Sequence, residues 1–280
     1  MTLRLPLLFL AAAVLVLSAC TGGDRAAAPT GVDVLSAVKA AKTVRVGVLA
    51  NNPPFSYQVG GTWTGFDVEI AQGVANHIGI EHVEFVPVTL DQRSDSVIAG
   101  KVDLVVASMT ITRYRERRVD FSIPYFQDGQ SLLVKAASPI KSYLDLNGKK
   151  VGAVKGSTAS FYMKQINPDA NVVTFADNAA LGKALENDEI DAATNDQLVL
   201  TGMVVSAKDP AAWRIAGDRL TAEPYGIAVA QNQSAWRNAI NHALLSLWET
   251  QDWHATADTW FGPTSKFATP VNFVMQVYPK

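Results

Sequence analysis

From residue 44 onward the chain alternates short β-branched runs with segments of helical period, and it does so twice. Residues 44–49 (VRVGVL), 83–88 and 104–107 read as strands, and residues 67–78 and 94–99 as helices between them. A Gly60-Gly61 pair between two short polar–aromatic arms predicts a hairpin over 56–65. The second round has strands at 150–154, 172–175 and 192–194 and helices at 157–165, 179–186 and 196–206. Such alternation predicts two α/β lobes with mainly parallel sheets. Late in the chain, Trp236, Ile240, Ala243, Leu244, Leu247 and Trp248 fall on one face of a helix over 235–248, an aromatic stripe that serves the core.

Ligands in open α/β sheets sit outside the carboxyl ends of the strands, so the loops there hold the candidate site. After Ala107 comes SMTITRYRERR (108–118). Thr112 can cap a following helix, Thr110 offers a hydroxyl and an N–H, and Arg115 in the first turn carries a planar fork suited to a carboxylate. Arg113, Arg117 and Arg118 point elsewhere and read as a solvated face. After Val154 comes KGSTAS (155–160). There Gly156 permits an unusual turn and Ser157 and Thr158 open a helix, a second anion cradle. Asp196, after the next strand, has two readings: an N-cap alone, or a partner for a ligand ammonium. Arg93 also has two, because a cation at a helix start opposes the helix dipole: a surface arginine, or a group held there for an anionic ligand.

The formal charge of −2 shows none of the strongly basic balance of a nucleic-acid partner. His77, His82, His242 and His254 are scattered, so no metal or other cofactor is expected. The apolar run 5–17 follows a single Arg4 and is too short for an ordinary membrane span. It ends in LSAC, residues 17–20, which resembles the lipobox of bacterial lipoproteins. That resemblance implies a signal peptide over 1–19 and lipid on Cys20, the only cysteine, with residues 20–40 as a flexible tether.

Beyond residue 40, most of the chain resembles the polar-amino-acid-binding proteins of bacterial ABC importers, solute-binding family 3. The matching pieces are PPF (53–55), GFDVEIA (65–71), GKVDLVVASMTITRYRERRVDFSIPYF (100–126), VGAVKGSTAS (151–160), IDAATNDQLVL (190–200) and YGIAV (225–229). The resemblance implies a two-lobed type II periplasmic-binding-protein fold. Lobe 1 would hold 41–133 and 224–262, and lobe 2 would hold 134–223. Two crossing strands near 131–135 and 223–226 would form the hinge, and 263–280 would be a C-terminal extension. It also implies that Arg115 binds a ligand α-carboxylate, helped by Thr110 and by the N–H of Thr158 in the Ser157-Thr158 loop, and that Ser108, Thr110 and Asp196 meet the ammonium. An extracytoplasmic, lipid-anchored monomer working with an ABC permease and ATPase is the implied setting.

Members that take glutamine or basic amino acids often sandwich the side chain between two aromatics; Asn52 and Leu90 stand at those places here. Members that take glutamate or aspartate carry an Asn-Arg pair, and Gln92-Arg93 lines up with it, although no Ile-Pro follows. The expected ligand is therefore glutamate or aspartate, with glutamine or asparagine as the alternative. A dehydratase of the cyclohexadienyl type on the same fold is the enzymatic alternative, disfavoured because Asp196 and Asp91 are the only carboxylates read in the cleft loops.

Overall fold

The computed structural model describes residues 33–277. The expected signal segment, Cys20 and the start of the tether lie outside them. In chain order the first lobe is built from α1 (Val34–Ala41), β1 (Thr43–Leu49), β2 (Asn51–Asn52), β3 (Ser56–Val59), β4 (Thr62–Thr64), α2 (Phe66–Ile78), β5 (His82–Val88), α3 (Arg93–Ile98), β6 (Leu104–Val105) and β7 (Val119–Phe121). After β8 (Phe126–Asp128) the second lobe follows: β9 (Gln130–Lys135), β10 (Lys150–Val154), α4 (Ala159–Ile166), β11 (Asn171–Phe175), α5 (Asn178–Glu186), β12 (Ala192–Asp196), α6 (Gln197–Ser206) and β13 (Trp213–Ala216). Then β14 (Glu223–Tyr225) leads back to the first lobe through β15 (Ala228–Ala230), α7 (Ser234–Glu249) and α8 (Asp252–Phe261).

The two lobes share one topology. The first sheet runs β5-β1-β6-β15-β7 and the second β11-β10-β12-β9-β13. In each, the first three strands in the order pair parallel, the fourth (β15 or β9) runs against both its neighbours and the fifth runs with the first three, so four of the five strands share one direction and the sheets are mixed through one reversed strand. β8 and β14 pair with each other, Glu223 opposite Asp128 and Tyr225 opposite Phe126, and carry the chain across. The crossing is thus at 126–128, not 131–135. Residues 131–134 are buried along their whole length and form an interior strand of the second sheet. Only Gly129 separates β8 from β9, and a Cβ there would lie 2.0 Å from the Thr221 carbonyl oxygen, so the crossing needs a residue without a side chain.

Two further expectations change, and the C-terminal extension acquires a place. Residues 34–41 are helix rather than tether: the Asp33 carboxylate accepts from the N–H groups of Leu35 and Ser36, and Val38 is fully buried. Arg115–Arg117 is a single 3₁₀ turn rather than the start of an α-helix, because β7 begins at Val119 and leaves no room. The C-terminal extension packs on the first lobe, with Phe267 and Met275 buried and the Phe273 ring 5.3 Å from that of Trp253.

Phe126 and Tyr225, one from each crossing strand, sit 5.5 and 5.4 Å from Phe55 in the aromatic core of the first lobe. Full burial of one such ring contributes about 1.5–3 kcal/mol. The crossing strands are therefore held rigidly to lobe 1, and lobe 2 hangs from them.

Candidate functional site

The carboxyl ends of the two sheets face each other across the crossing strands. Asn52, Leu90, Arg93, Ser108, Thr110 and Arg115 from lobe 1 meet Ser157, Thr158, Asn195, Asp196 and Val199 from lobe 2. All seven residues singled out in the sequence lie in this one cleft. The space they enclose measures about 10 Å³, room for a single water molecule, so the lobes are drawn together in this arrangement.

Arg115 is buried at 9% exposure, and it spends two N–H groups on the carbonyl oxygens of Thr110 (2.7 Å) and Gly156 (2.9 Å). Arg93 is 2% exposed, which removes the surface reading. It bonds the carbonyls of Leu90 (3.0 Å), Ala107 (2.9 Å), Ser108 (3.2 Å) and Gly156 (3.2 Å), leaving one of its five N–H groups. Among the described residues neither arginine forms an ion pair. Burial, and then Arg115 beside it, push Arg93 down to about 9, so Arg93 stays cationic at neutral pH, and burial likewise lowers Arg115.

Ser108 carries φ of 40°, a left-handed conformation that costs a non-glycine residue energy. Its N–H donates to Asp67 Oδ2 at 2.8 Å, its carbonyl receives Arg93, and its Oγ receives Asn52 Nδ2 at 2.9 Å. The Tyr125 hydroxyl donates to the other Asp67 oxygen at 2.7 Å. Burial raises Asp67 to about 7, so this carboxyl supports Ser108 from behind at a cost in desolvation.

Asp196 stands at the N-cap position of α6, but its side chain caps none of the helix N–H groups. The N–H of Leu198 near the start of α6 goes to Asp128 Oδ2 (2.9 Å), a residue of β8. The Asp196 side chain instead accepts from Gln130 Nε2 (2.5 Å) and from the Tyr225 hydroxyl. Burial, then Glu223 and Asp128 nearby, hold Asp196 well above the usual carboxylate range. Ser157, by contrast, is spent locally: its hydroxyl donates to the Val154 carbonyl at 2.6 Å.

Sequence reasoning missed Glu223, Gln130, Asp67 and Asn178. Glu223 is fully buried and accepts from Thr110 and Thr158, so the cleft holds one more carboxylate than its loops suggested. Asn195 donates to Asn178 (2.8 Å), Asn178 to Asn52 (2.9 Å) and Asn52 to Ser108, a relay of amides from one lobe to the other. The one sequence signal was Glu223 itself, a carboxylate two residues ahead of the buried YGIAV segment.

Two topologically matched α/β lobes, joined by a pair of crossing strands and closing on a buried cleft of both charges, define a two-lobed solute-binding protein. Residues 44–263 match the bacterial extracellular solute-binding proteins, family 3, and the chain belongs to that family. It is 39% identical over 240 residues to the ABC transporter glutamine-binding protein GlnH of Bacillus subtilis (strain 168), covering 83% of this chain and 87% of the relative. It is 32% identical over 232 residues to the L-cystine-binding protein TcyJ of Escherichia coli (strain K12), covering 82% and 86%. A solved ancestral arginine-binding protein bound to glutamine superposes with a TM-score of 0.75 at 36% identity, covering 79% of this chain and 98% of that one. These relatives are named for the amino acids they bind and not as enzymes, which supports a binding protein over the dehydratase alternative. No helix among the described residues is long and apolar enough to cross a membrane.

Proposed function

We propose that this chain is the substrate-binding subunit of an amino-acid ABC importer and that its cleft takes a polar zwitterion, glutamine before the acidic amino acids. One observation carries the reading: a buried cleft sets Arg115 of one lobe against Asp196 of the other, with neither in an ion pair among the described residues. A ligand with a carboxylate and an ammonium supplies both partners at once. The ligand docks on lobe 1 with its carboxylate on Arg115. Closure then brings up the Thr158 N–H for the carboxylate and Asp196 for the ammonium. Each charge-assisted bond contributes about 1.5–3 kcal/mol in a dry cleft. Three or four of them exceed the roughly 8 kcal/mol of a micromolar complex, and ordering and lobe closure consume the difference.

Glutamine is supported by the make-up of the cleft. Two buried cations, Arg93 and Arg115, already face the buried carboxyls of Asp196 and Glu223, with Asp67 and Asp128 close behind, so a ligand with a further net negative charge meets no surplus of cations. The glutamine-binding relative and the glutamine-bound structure point the same way. The acidic ligand expected from the sequence has its own support in Arg93, which meets no carboxylate among the described residues and keeps one N–H to give. Calorimetric titration with the twenty amino acids decides: glutamine is expected to bind most tightly, glutamate in first place replaces the ligand, and no binding of any amino acid overturns the reading. The setting belongs to the same proposal, with lipid on Cys20 as anchor and an ABC permease as partner. Loss of radiolabelled palmitate incorporation in Cys20→Ser tests the anchor.

A further inference from the structure

Glu223 has no task in the ligand contacts proposed above, yet its side chain takes part in four hydrogen bonds. Its Oε2 accepts the hydroxyl protons of Thr110 (2.7 Å) and Thr158 (2.6 Å). Its Oε1 accepts from Gln130 Nε2 (2.7 Å) and from the Thr221 hydroxyl (3.1 Å). Gln130 cannot turn over to offer its oxygen instead. That oxygen accepts from Thr194 Oγ1 at 3.3 Å, and Nε2 also serves Asp196. All four groups around Glu223 therefore donate to it.

A hydroxyl carries one proton and two lone pairs. Once Thr110 and Thr158 have given their protons to Glu223, each can only accept from anything else in the cleft. Thr110 belongs to lobe 1 and Thr158 to lobe 2, so both jaws present acceptor oxygens, and one carboxylate oxygen ties them together. We propose that Glu223 is a positioning residue that fixes both threonine hydroxyls as acceptors, so that the closed cleft selects a ligand bearing an α-ammonium over the same molecule without it. The inference rests on the cleft being an amino-acid site. It assigns the Thr110 hydroxyl to the ammonium alone, where the family resemblance implied carboxylate and ammonium together.

In Glu223→Gln an amide N–H can donate to the threonine oxygens. Their protons then turn into the cleft, where they oppose an ammonium. The test is calorimetric titration of wild type and Glu223→Gln with L-glutamine and with glutaramate, the same chain lacking the α-amino group. The glutamine-to-glutaramate affinity ratio is expected to fall at least about tenfold in the variant, the scale of one misdirected charge-assisted hydrogen bond. Glu223→Asp, which keeps an acceptor-only group, should restore part of the ratio. A merely structural role would weaken both ligands alike and leave the ratio unchanged; that result in folded Glu223→Gln overturns the inference. If Glu223→Gln does not fold, Thr110→Val and Thr158→Val remove the same acceptors, and an unchanged ratio in both overturns it equally. A wild-type protein that takes no amino acid overturns the amino-acid reading along with this one, whereas binding with an unchanged ratio sinks this one alone.

Discussion

At the scale of residues, the two buried arginines differ in how much of themselves they have left to give. Arg115 keeps three N–H groups beyond its bonds to Thr110 and Gly156, enough for a two-pronged grip on a carboxylate. Arg115→Ala should lower affinity for every amino acid by at least about a hundredfold by calorimetry, and Arg115→Lys should rescue little, since an ammonium is a point charge without a fork. Arg93 is bound to four backbone carbonyls. Arg93→Ala leaves those acceptors unpaired, each at about 1–3 kcal/mol, so a melting point lower by several degrees is expected by calorimetric scan. If the ligand is acidic, the same variant also loses glutamate far more than glutamine; equal losses assign Arg93 to scaffolding. Arg115, Thr110 and Asp196 were legible because each lies at the carboxyl end of a strand or in the loop beyond it and carries the chemistry in its own side chain. Glu223 and Asn178 were not. Their partners lie 113 and 126 residues away, and only the folding of the hinge makes them neighbours.

At the scale of elements, closure depends on how near the β10–α4 loop can come to lobe 1. Gly156 has φ of +81°, and a Cβ on it would lie 2.5 Å from the Asp91 backbone across the cleft. Lys155 also pairs with Asp91 at 2.9 Å, but on an exposed rim, where such pairs contribute about 0–1 kcal/mol. Contact distance, not that ion pair, sets the fit. Gly156→Ala is expected to weaken ligand binding about ten- to a hundredfold and to abolish the ligand-induced contraction seen by small-angle scattering. Gly60→Ala is the control: its φ of +58° is also left-handed, but nothing lies within 4 Å, so it should cost stability without touching closure. The periodicity of the helices and the Gly60-Gly61 hairpin was readable because local pattern determines both. The crossing point was misplaced because residues 131–134 look like any buried strand, and only pairing with β12 and β13 assigns them to the second lobe.

At the scale of the whole molecule, buried carboxyls tie stability to pH. Burial raises Asp67 to about 7 and Asp128 to about 6, and holds Asp196 well above the ordinary aspartate value of 3.8 from which all three start. The folded protein therefore binds more protons than the unfolded chain between about pH 4 and 7. These groups give their full stability below that window and lose it as pH rises through it. The ligand-free protein should melt several degrees higher at pH 5 than at pH 8. Glutamine binding should run the other way, because an ammonium favours ionised Asp196: capture releases protons, and affinity falls as pH drops from 7 to 5. Titrations in two buffers of different ionisation enthalpy measure that release directly. A pH-independent melting point would remove the buried-carboxyl account.

The strand order of the first sheet also dictates when each lobe can be completed. β15, residues 228–230, fits between β6 and β7, while all five strands of the second sheet lie within residues 130–216. A chain emerging from its amino end can finish the second lobe first. The first lobe, although begun earlier, keeps two unpaired edges facing each other until the last fifth of the sequence arrives. Those open edges are the part of the molecule most exposed to pairing with another chain, so its hazard during biogenesis lies in the older lobe, not the inserted one.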